Sequence, residues 1–440
     1  MDFIEAASLL DGPLYRGDPD SSPDGQMYAA NRERQGLTMQ YSKEEIRQYV
    51  AEEDIKFIRL AFCDLSGRQK NISIHPDELD RALQYGIAFD ASAIPGFGDE
   101  VHSDLFLQPD TSTLCLLPWR PDHGRVARMF CGIVRPDGTP FEADTRQLLR
   151  QAVREAEDMG VTFAFGTEME FYLFQRDELG EPTKQPYDHA GYMDIAPEDK
   201  GENVRREICL TLEQMGIRPE YSHHEQGPGQ NEIDFRYSQP LTAADNAVTF
   251  RTVVDSVAVR SGLAADFSPK PISGQPGNGM HINISAKSAD GADVMPLIIA
   301  GILAHIREMT VFLNTVDASY LRFGGSKAPR YISWSSENRS QLIRIPAAQG
   351  EYRRAELRSP DPLCNPYLAF ALLIHAGLDG IRRALPLPAA ADINFFTASQ
   401  QVKERFETLP ATLPQARALA AGSPFLAELL PPAVLEYYTK

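Results

Sequence analysis

No stretch of this sequence supplies the roughly 18 consecutive apolar residues that a membrane-spanning helix needs. Its first residues contain no basic region running into an apolar one, so neither a membrane anchor nor a signal peptide is expected. Cysteine is scarce: Cys63, Cys115, Cys131, Cys209 and Cys364 are scattered, with no C-x-x-C pair. That spacing argues against a disulfide framework or a thiolate zinc site, and for reduced thiols in the cytoplasm. Positive charge is in deficit. The 43 lysines and arginines stand against 61 acidic residues, a net charge of −18, which disfavours non-specific binding to nucleic acid or an anionic membrane. There is also no Walker lysine loop and no kinase motif set, so any phosphate chemistry must be of another design.

What is present is ordinary globular material, 43% hydrophobic and 24% charged over 440 residues, long enough for two domains. Residues 1–38 are polar and turn-rich and read as a flexible extension. Ser42 and Glu45 have capping-box spacing for a helix to about Glu52, and Ile55–Cys63 reads as a strand. Short strands and turns continue to about Gly138, and a helix follows over Thr145–Met159 with Gly160 as its stop. Beyond it, strands are expected at Thr162–Phe174, Asn231–Tyr237, Gly279–Ser285 and Ser340–Ile345. Helices are expected at Gly201–Met215, Ala243–Ser261, Val294–Asn314 and Asn365–Ala384. The domain boundary falls near Glu142, giving 39–141 and 142–440, an α+β organisation.

Four segments place carboxylates or imidazoles where a packed strand would not want them. Glu168 and Glu170 are two apart in an aromatic-rich strand, so they share a face, and like charges side by side repel unless a cation lies between them. His223-His224-Glu225 leads through a glycine–proline turn to Glu232, and alternation puts His281, Asn283 and Ser285 on one face. Arg354, Glu356 and Arg358 alternate in the same way. Five glutamates and one histidine make two hard-cation sites of three ligands, suited to Mg²⁺ or Mn²⁺. Arg322, Arg339, Arg344, Arg354 and Arg358 are available to clamp phosphates and a substrate carboxylate.

These segments, in this order, resemble the type I glutamine synthetases from about Tyr41 to Leu385. The motifs are Phe89–Phe97, Gly166–Phe174, His223-His224-Glu225, Gly229–Ile233, Asn338–Pro346 and Glu356–Tyr367. The resemblance implies an N-terminal β-grasp domain, a C-terminal catalytic domain with a curved antiparallel sheet, and a double-ring dodecamer with active sites between subunits. It implies ATP-dependent joining of the glutamate γ-carboxylate to ammonia through γ-glutamyl phosphate, with two divalent metals. Carried over, Glu170, Glu225 and Glu232 hold one metal, and Glu168, His281 and Glu356 the other. Arg322, Arg358 and the backbone at Gly277 grip glutamate. Arg339, Arg344 and Arg354 face the phosphates, Glu220 and Ser285 the nucleotide, and Asp90 of the adjacent subunit helps deprotonate ammonium.

The pattern breaks in places. The family's flap reads Glu-Ala-Pro, and here Lys327-Ala328-Pro329 stands instead. At ~4 Å and an effective dielectric near 20, that exchanges about 4 kcal/mol of attraction for ammonium for a similar repulsion. Two alternatives to glutamine synthesis follow: ligation of another amine, or a non-catalytic relative. Pro276 replaces a usual asparagine, Asn283 a usual histidine, and Phe396 stands where some relatives carry an adenylylated tyrosine. Ending at Lys440 also puts ring–ring contacts in question, and Met39 offers an alternative start of translation.

Overall fold

The computed structural model describes residues 41–98, 101–120, 123–325, 328–348, 350 and 353–440. The expected extension over 1–38, the Met39 start and Lys327 all lie outside the described residues. The first helix, Lys43–Glu52, begins as its sequence dictates. The Ser42 hydroxyl accepts from the Glu45 amide at 3.2 Å, and the Glu45 carboxylate accepts from the Ser42 amide at 2.7 Å.

Six strands form the smaller sheet: β1 (Ile55–Cys63), β2 (Gln69–Ile74), β3 (Ile87–Asp90), β4 (Asp104–Pro109), β5 (Cys115–Leu116) and β6 (Arg125–Val134). Their order is β2-β1-β6-β4-β3, with β5 also on β6, and the β1–β6 pair is parallel. The helix Leu79–Tyr85, which alternation had not indicated, leads into β3.

The larger sheet has nine strands. They are β7 (Val161–Arg176), β8 (Pro182–Pro186), β9 (Pro219–His224), β10 (Gln230–Phe235), β11 (Leu263–Asp266), β12 (Met280–Ser288), β13 (Trp334–Ser336), β14 (Ile343–Ile345) and β15 (Ala355–Leu357). The order is β13-β14-β15-β12-β7-β10-β9, with β8 and β11 also against β7, and every pair except β13–β14 is antiparallel. The segment 340–342 is a turn rather than the start of β14. The Asn338 side chain accepts from the Ser340 amide and hydroxyl, drawing those residues out of any ladder.

β7 sorts its side chains by parity. Phe165, Met169 and Phe171 turn to the core, where Phe165 stacks on Phe370 at 4.5 Å and Phe171 meets Phe250 edge-on at 6.1 Å. Each such ring contributes about 1.5–3 kcal/mol by leaving water. That face is covered by the helices Thr145–Asp158, Pro240–Arg260 and Pro366–Arg382, with Met295–Leu313 packed on the last of these. Glu168 and Glu170 are left on the opposite face.

One helix is long and apolar, although His305, Arg307 and Glu308 interrupt its run. Met295–Leu313 is, by length and composition, apolar enough to cross a membrane, with mean hydropathy 1.6 over its window. It is apolar because it is a core helix: 72% of that window is buried, with the helices Pro366–Arg382 and Leu413–Ala421 packed against it.

His305 on this helix lies 2.5 Å from Glu308 and 2.8 Å from Asp379 and stacks on Phe425 at 3.8 Å. Burial opposes its charge, but the two carboxylates raise its pKa above the ordinary 6.5. Its pairing therefore stabilises the fold below the unfolded value and is lost as pH rises through the folded one. A His305→Gln variant should lower the melting temperature more at pH 6 than at pH 9, as paired thermal scans can check.

A buried polar junction joins the two sheets' surroundings. Arg146 donates to Asp245 at 3.0 and 2.9 Å and reaches Asp110, which follows β4, at 2.9 Å. The Tyr367 hydroxyl donates to Asp245 at 2.6 Å, and Arg128 donates to Thr249 at 2.7 Å.

Candidate active site

The polar face of the larger sheet is assembled by register. Glu168 on β7 stands opposite His281 of β12 on one side and Asp234 of β10 on the other, while Glu170 stands opposite Glu232. Asn283 and Arg344 both stand opposite Glu356, and His223 of β9 faces Glu232. Residues more than a hundred positions apart in sequence thus line one row across the strands.

Three clusters of ligand-type atoms result, each within 4.8 Å: Glu168–His281–Glu356, His223–Glu225–Glu232 and Glu168–Glu232–Asp234. The first matches the sequence expectation. The second brings Glu225 and Glu232 together with His223, while Glu170 stands opposite Glu232 across the strands. The Glu170 Oε2 atom accepts from the Gly279 amide at 2.8 Å and from Gln230 at 3.3 Å. Asp234 was missed, although the alternation Glu232-Ile233-Asp234 placed it on the same face.

Burial works against ionisation at Glu168, yet His281, Asn283 and Arg354 bring its pKa down to about 2. Asn283 donates to its Oε1 at 2.8 Å, and His281 Nδ1 lies 3.1 Å from its Oε2. At Asp234 burial, then the charges of Glu232 and Glu168, push the carboxyl well above its usual range. The Tyr221 side chain is the hydrogen-bonding neighbour of the buried Asp234 carboxyl. Convergent buried carboxylates are costly unless a cation offsets them. The donors are hard oxygens and imidazole, so a divalent ion of the Mg²⁺ or Mn²⁺ kind fits.

The arginines divide. Arg344 donates to Glu356 at 2.6 Å and Arg358 at 3.0 Å, so both hold a carboxylate of the site rather than open solvent. Arg354 donates to Asn283 at 2.8 Å and lines a small pocket with Glu220, Ser285, Tyr221 and Tyr237. Arg339 is exposed, and only its backbone carbonyl meets Arg358. Arg322 is buried against Gly277 and Gly279, donates to the Ser359 carbonyl at 3.1 Å, and keeps its second terminal nitrogen without a partner. Asp90 stands apart at the end of β3, exposed, with its carboxylate accepting from the Ser92 amide and hydroxyl.

Gly277 is needed for close approach. A Cβ there would lie 2.3 Å from the Pro269 carbonyl and 2.8 Å from Arg322 Cγ. A Gly277→Ala variant must displace this loop, and it should raise KM for the substrate bound beside Arg322 by about tenfold or more. Steady-state kinetics against each substrate would show it.

Comparison with known proteins decides what kind of site this is. Residues 142–440 match the model of the glutamine synthetase catalytic domain, and residues 54–136 that of the glutamine synthetase beta-Grasp domain. The chain belongs to the glutamine synthetase family. A glutamine synthetase of Clostridium saccharobutylicum is 46% identical over 391 residues, 86% of this chain and 88% of the relative. One of Methanosarcina mazei is 45% identical over 413 residues, 90% and 92% respectively. Among solved structures, a GmaS/ADP complex superposes with a TM-score of 0.80 at 26% identity, covering 91% of this chain and 94% of that one.

The two domains of a glutamine synthetase are therefore present as expected, with the sheet of the second carrying the clusters. ATP and divalent metals are general to glutamine synthetases, and the donor sets above have the chemistry for such ions. The curated relatives, named glutamine synthetase, favour glutamine synthesis over another amine or a non-catalytic role.

Proposed function

We propose that this protein joins ammonia to the γ-carboxylate of glutamate, driven by ATP. The observation that carries the reading is the convergence of the Glu168–His281–Glu356 and His223–Glu225–Glu232 clusters on one sheet face, beside the pocket of Glu220, Ser285 and Arg354. Phosphoryl transfer from ATP to the γ-carboxylate gives ADP and γ-glutamyl phosphate. Ammonia then attacks the acyl carbon, the carbon–oxygen bond to phosphate breaks, and inorganic phosphate leaves with glutamine. Two divalent ions, Mg²⁺ or Mn²⁺, held by Glu168, His281 and Glu356 and by Glu225 and Glu232 with Glu170 or His223, would neutralise the phosphate oxygens and the γ-carboxylate.

Arg322, with its unpartnered nitrogen beside Gly277, grips a carboxylate of glutamate. Arg358 orients Glu356 and, through it, the same end of the site. Arg339, Arg344 and Arg354 face the phosphates, and Glu220 and Ser285 the nucleoside. Asp90 is supplied by a neighbouring subunit and takes the proton of ammonium, which its exposed place on the smaller sheet supports. By its motif, Lys327-Ala328-Pro329 stands where the family's flap reads Glu-Ala-Pro, so Lys327 is assigned to that flap from sequence alone. We read residues 39–141 and 142–440 as the two domains of one protomer of a homo-oligomer, a dodecamer with active sites between subunits. Five cysteines outside any disulfide support a cytoplasmic setting.

The test is glutamine formation and phosphate release from ATP, glutamate and Mg²⁺ or Mn²⁺, with ammonia compared against methylamine and larger amines. Turnover with ammonia is expected to exceed that with any amine. No glutamine at any concentration of either metal would overturn the proposal.

A further inference from the structure

We infer that Gln230 is a positioning residue for glutamate, tying the Glu170 carboxylate to the substrate loop so that both keep one geometry. The inference rests on the function proposed above and assigns a task to a side chain that touches no reacting atom.

Gln230 opens β10 and is 1% exposed. Its Oε1 accepts from the Gly227 amide at 3.0 Å. Its Nε2 faces three acceptors: the Gly277 carbonyl at 3.2 Å, Asn278 Oδ1 at 3.2 Å and Glu170 Oε2 at 3.3 Å. The amide has one orientation open to it, because the first neighbour only donates and the carbonyl and carboxylate only accept. Its main chain closes the turn before β10, with Gln230 N donating to the Gly227 carbonyl at 2.9 Å. The Glu225 amide donates to the Gln230 carbonyl at 2.8 Å.

Both ends of this bridge are otherwise fixed. The Glu170 Oε2 atom also accepts from the Gly279 amide at 2.8 Å, and the Glu170 amide donates to the Gly279 carbonyl at 3.1 Å, so β7 holds Gly279 directly and Gln230 adds the tie to Gly277. Asn278 Nδ2 donates to the Asp266 and Ser268 carbonyls at 3.0 Å each, and the Tyr172 hydroxyl donates to the Pro276 carbonyl at 2.7 Å. One buried amide therefore links the turn that carries Glu225, the carboxylate of Glu170 and the backbone at Gly277. Arg322 lies against that same loop. Losing the amide leaves Gly279 and Asn278 held but releases the Gly277 carbonyl beside Arg322, and the penalty falls on glutamate rather than on the nucleotide, whose proposed pocket is lined by neither Gln230 nor Gly277.

The experiment uses the full-length protein and two variants, Gln230→Met, which keeps the side chain's length but none of its hydrogen bonds, and Gln230→Glu. The second keeps the acceptor for Gly227 while turning an oxygen toward three acceptors. Glutamate binding is measured by calorimetry in Mg²⁺ and ADP, and KM for glutamate and for ATP by steady-state assay. Gln230→Met is expected to weaken glutamate binding and raise its KM about tenfold, with KM for ATP within twofold. Gln230→Glu should weaken glutamate at least as much, and both variants should melt lower than the wild type, because buried partners are left unpaired, while staying folded at the assay temperature. A merely structural amide predicts instead that both KM values shift together. Unchanged glutamate affinity in either folded variant overturns the inference, as does a proportional change in KM for ATP. Failure of the wild type to make glutamine overturns the proposed reaction alone, since calorimetric binding of glutamate still reads the role of Gln230.

Discussion

The Glu168→Gln variant is expected to lose about three orders of magnitude in kcat, roughly 4 kcal/mol of transition-state stabilisation. Glu168 is shared by two of the three clusters, facing His281 and Glu356 on one side and Glu232 and Asp234 on the other. Its pKa of about 2 keeps it charged throughout the neutral range, so on the proposed reading the substitution removes an anionic ligand of the cation that would neutralise the phosphate. Glutamine retains the shape and can still accept from Asn283, which now lies 2.8 Å away. The fold should therefore survive, and the half-saturating Mg²⁺ concentration should rise together with the fall in kcat. A variant that turns over within tenfold of the wild type at equal Mg²⁺ would remove Glu168 from the site.

The second large effect concerns the junction behind the site. Arg146 is 4% exposed and paired with both Asp245 and Asp110. Arg146→Met fills much of the volume but leaves Asp245 buried without its cation, and the half-buried Asp110 with only Arg150 at 3.3 Å. Breaking a buried pair from one side in this way costs about 3–5 kcal/mol. The expected result is a clear drop in the denaturation midpoint, with loosening between the smaller sheet and the 240–260 helix visible as faster hydrogen exchange near Asp110. Combining it with Asp245→Asn should cost much less than the sum of the two single changes, because both remove the same pair. Strict additivity of the two would show that the pair does not act as a unit.

Much of the site could be read along the chain, and the reason differs from residue to residue. Glu168 and Glu170 were placed on one face by a period of two, and that face is indeed opposite the phenylalanine core. His281 and Glu356 were recognisable from their alternating polar neighbours, and register then set them beside Glu168. Asp234 lay within reach of the same argument but reads alone as one more acidic residue at a strand end. That His223 lies within 4.8 Å of Glu225 and Glu232, while other donors hold Glu170 Oε2, was beyond it, because it depends on which neighbour turns a given carboxylate oxygen. The Gly279 amide and Gln230 do so here.

The sequence by itself determined the family, the acidic and thiol-bearing character of the chain, the parity of its strands and the residue types that bind cations and phosphates. The family rests on motifs shared in order along the chain, and the rest on composition and on periodicities that each residue carries with its immediate neighbours. Only the tertiary structure decided that Arg344 and Arg358 hold Glu356, that Asp234 joins the metal face, that Met295–Leu313 belongs to the core, and that Gln230 bridges Glu170 to Gly277. Each of these rests on register between strands or packing between elements far apart in the chain. A local pattern can say which face a side chain takes, but not which atom of another strand will meet it there.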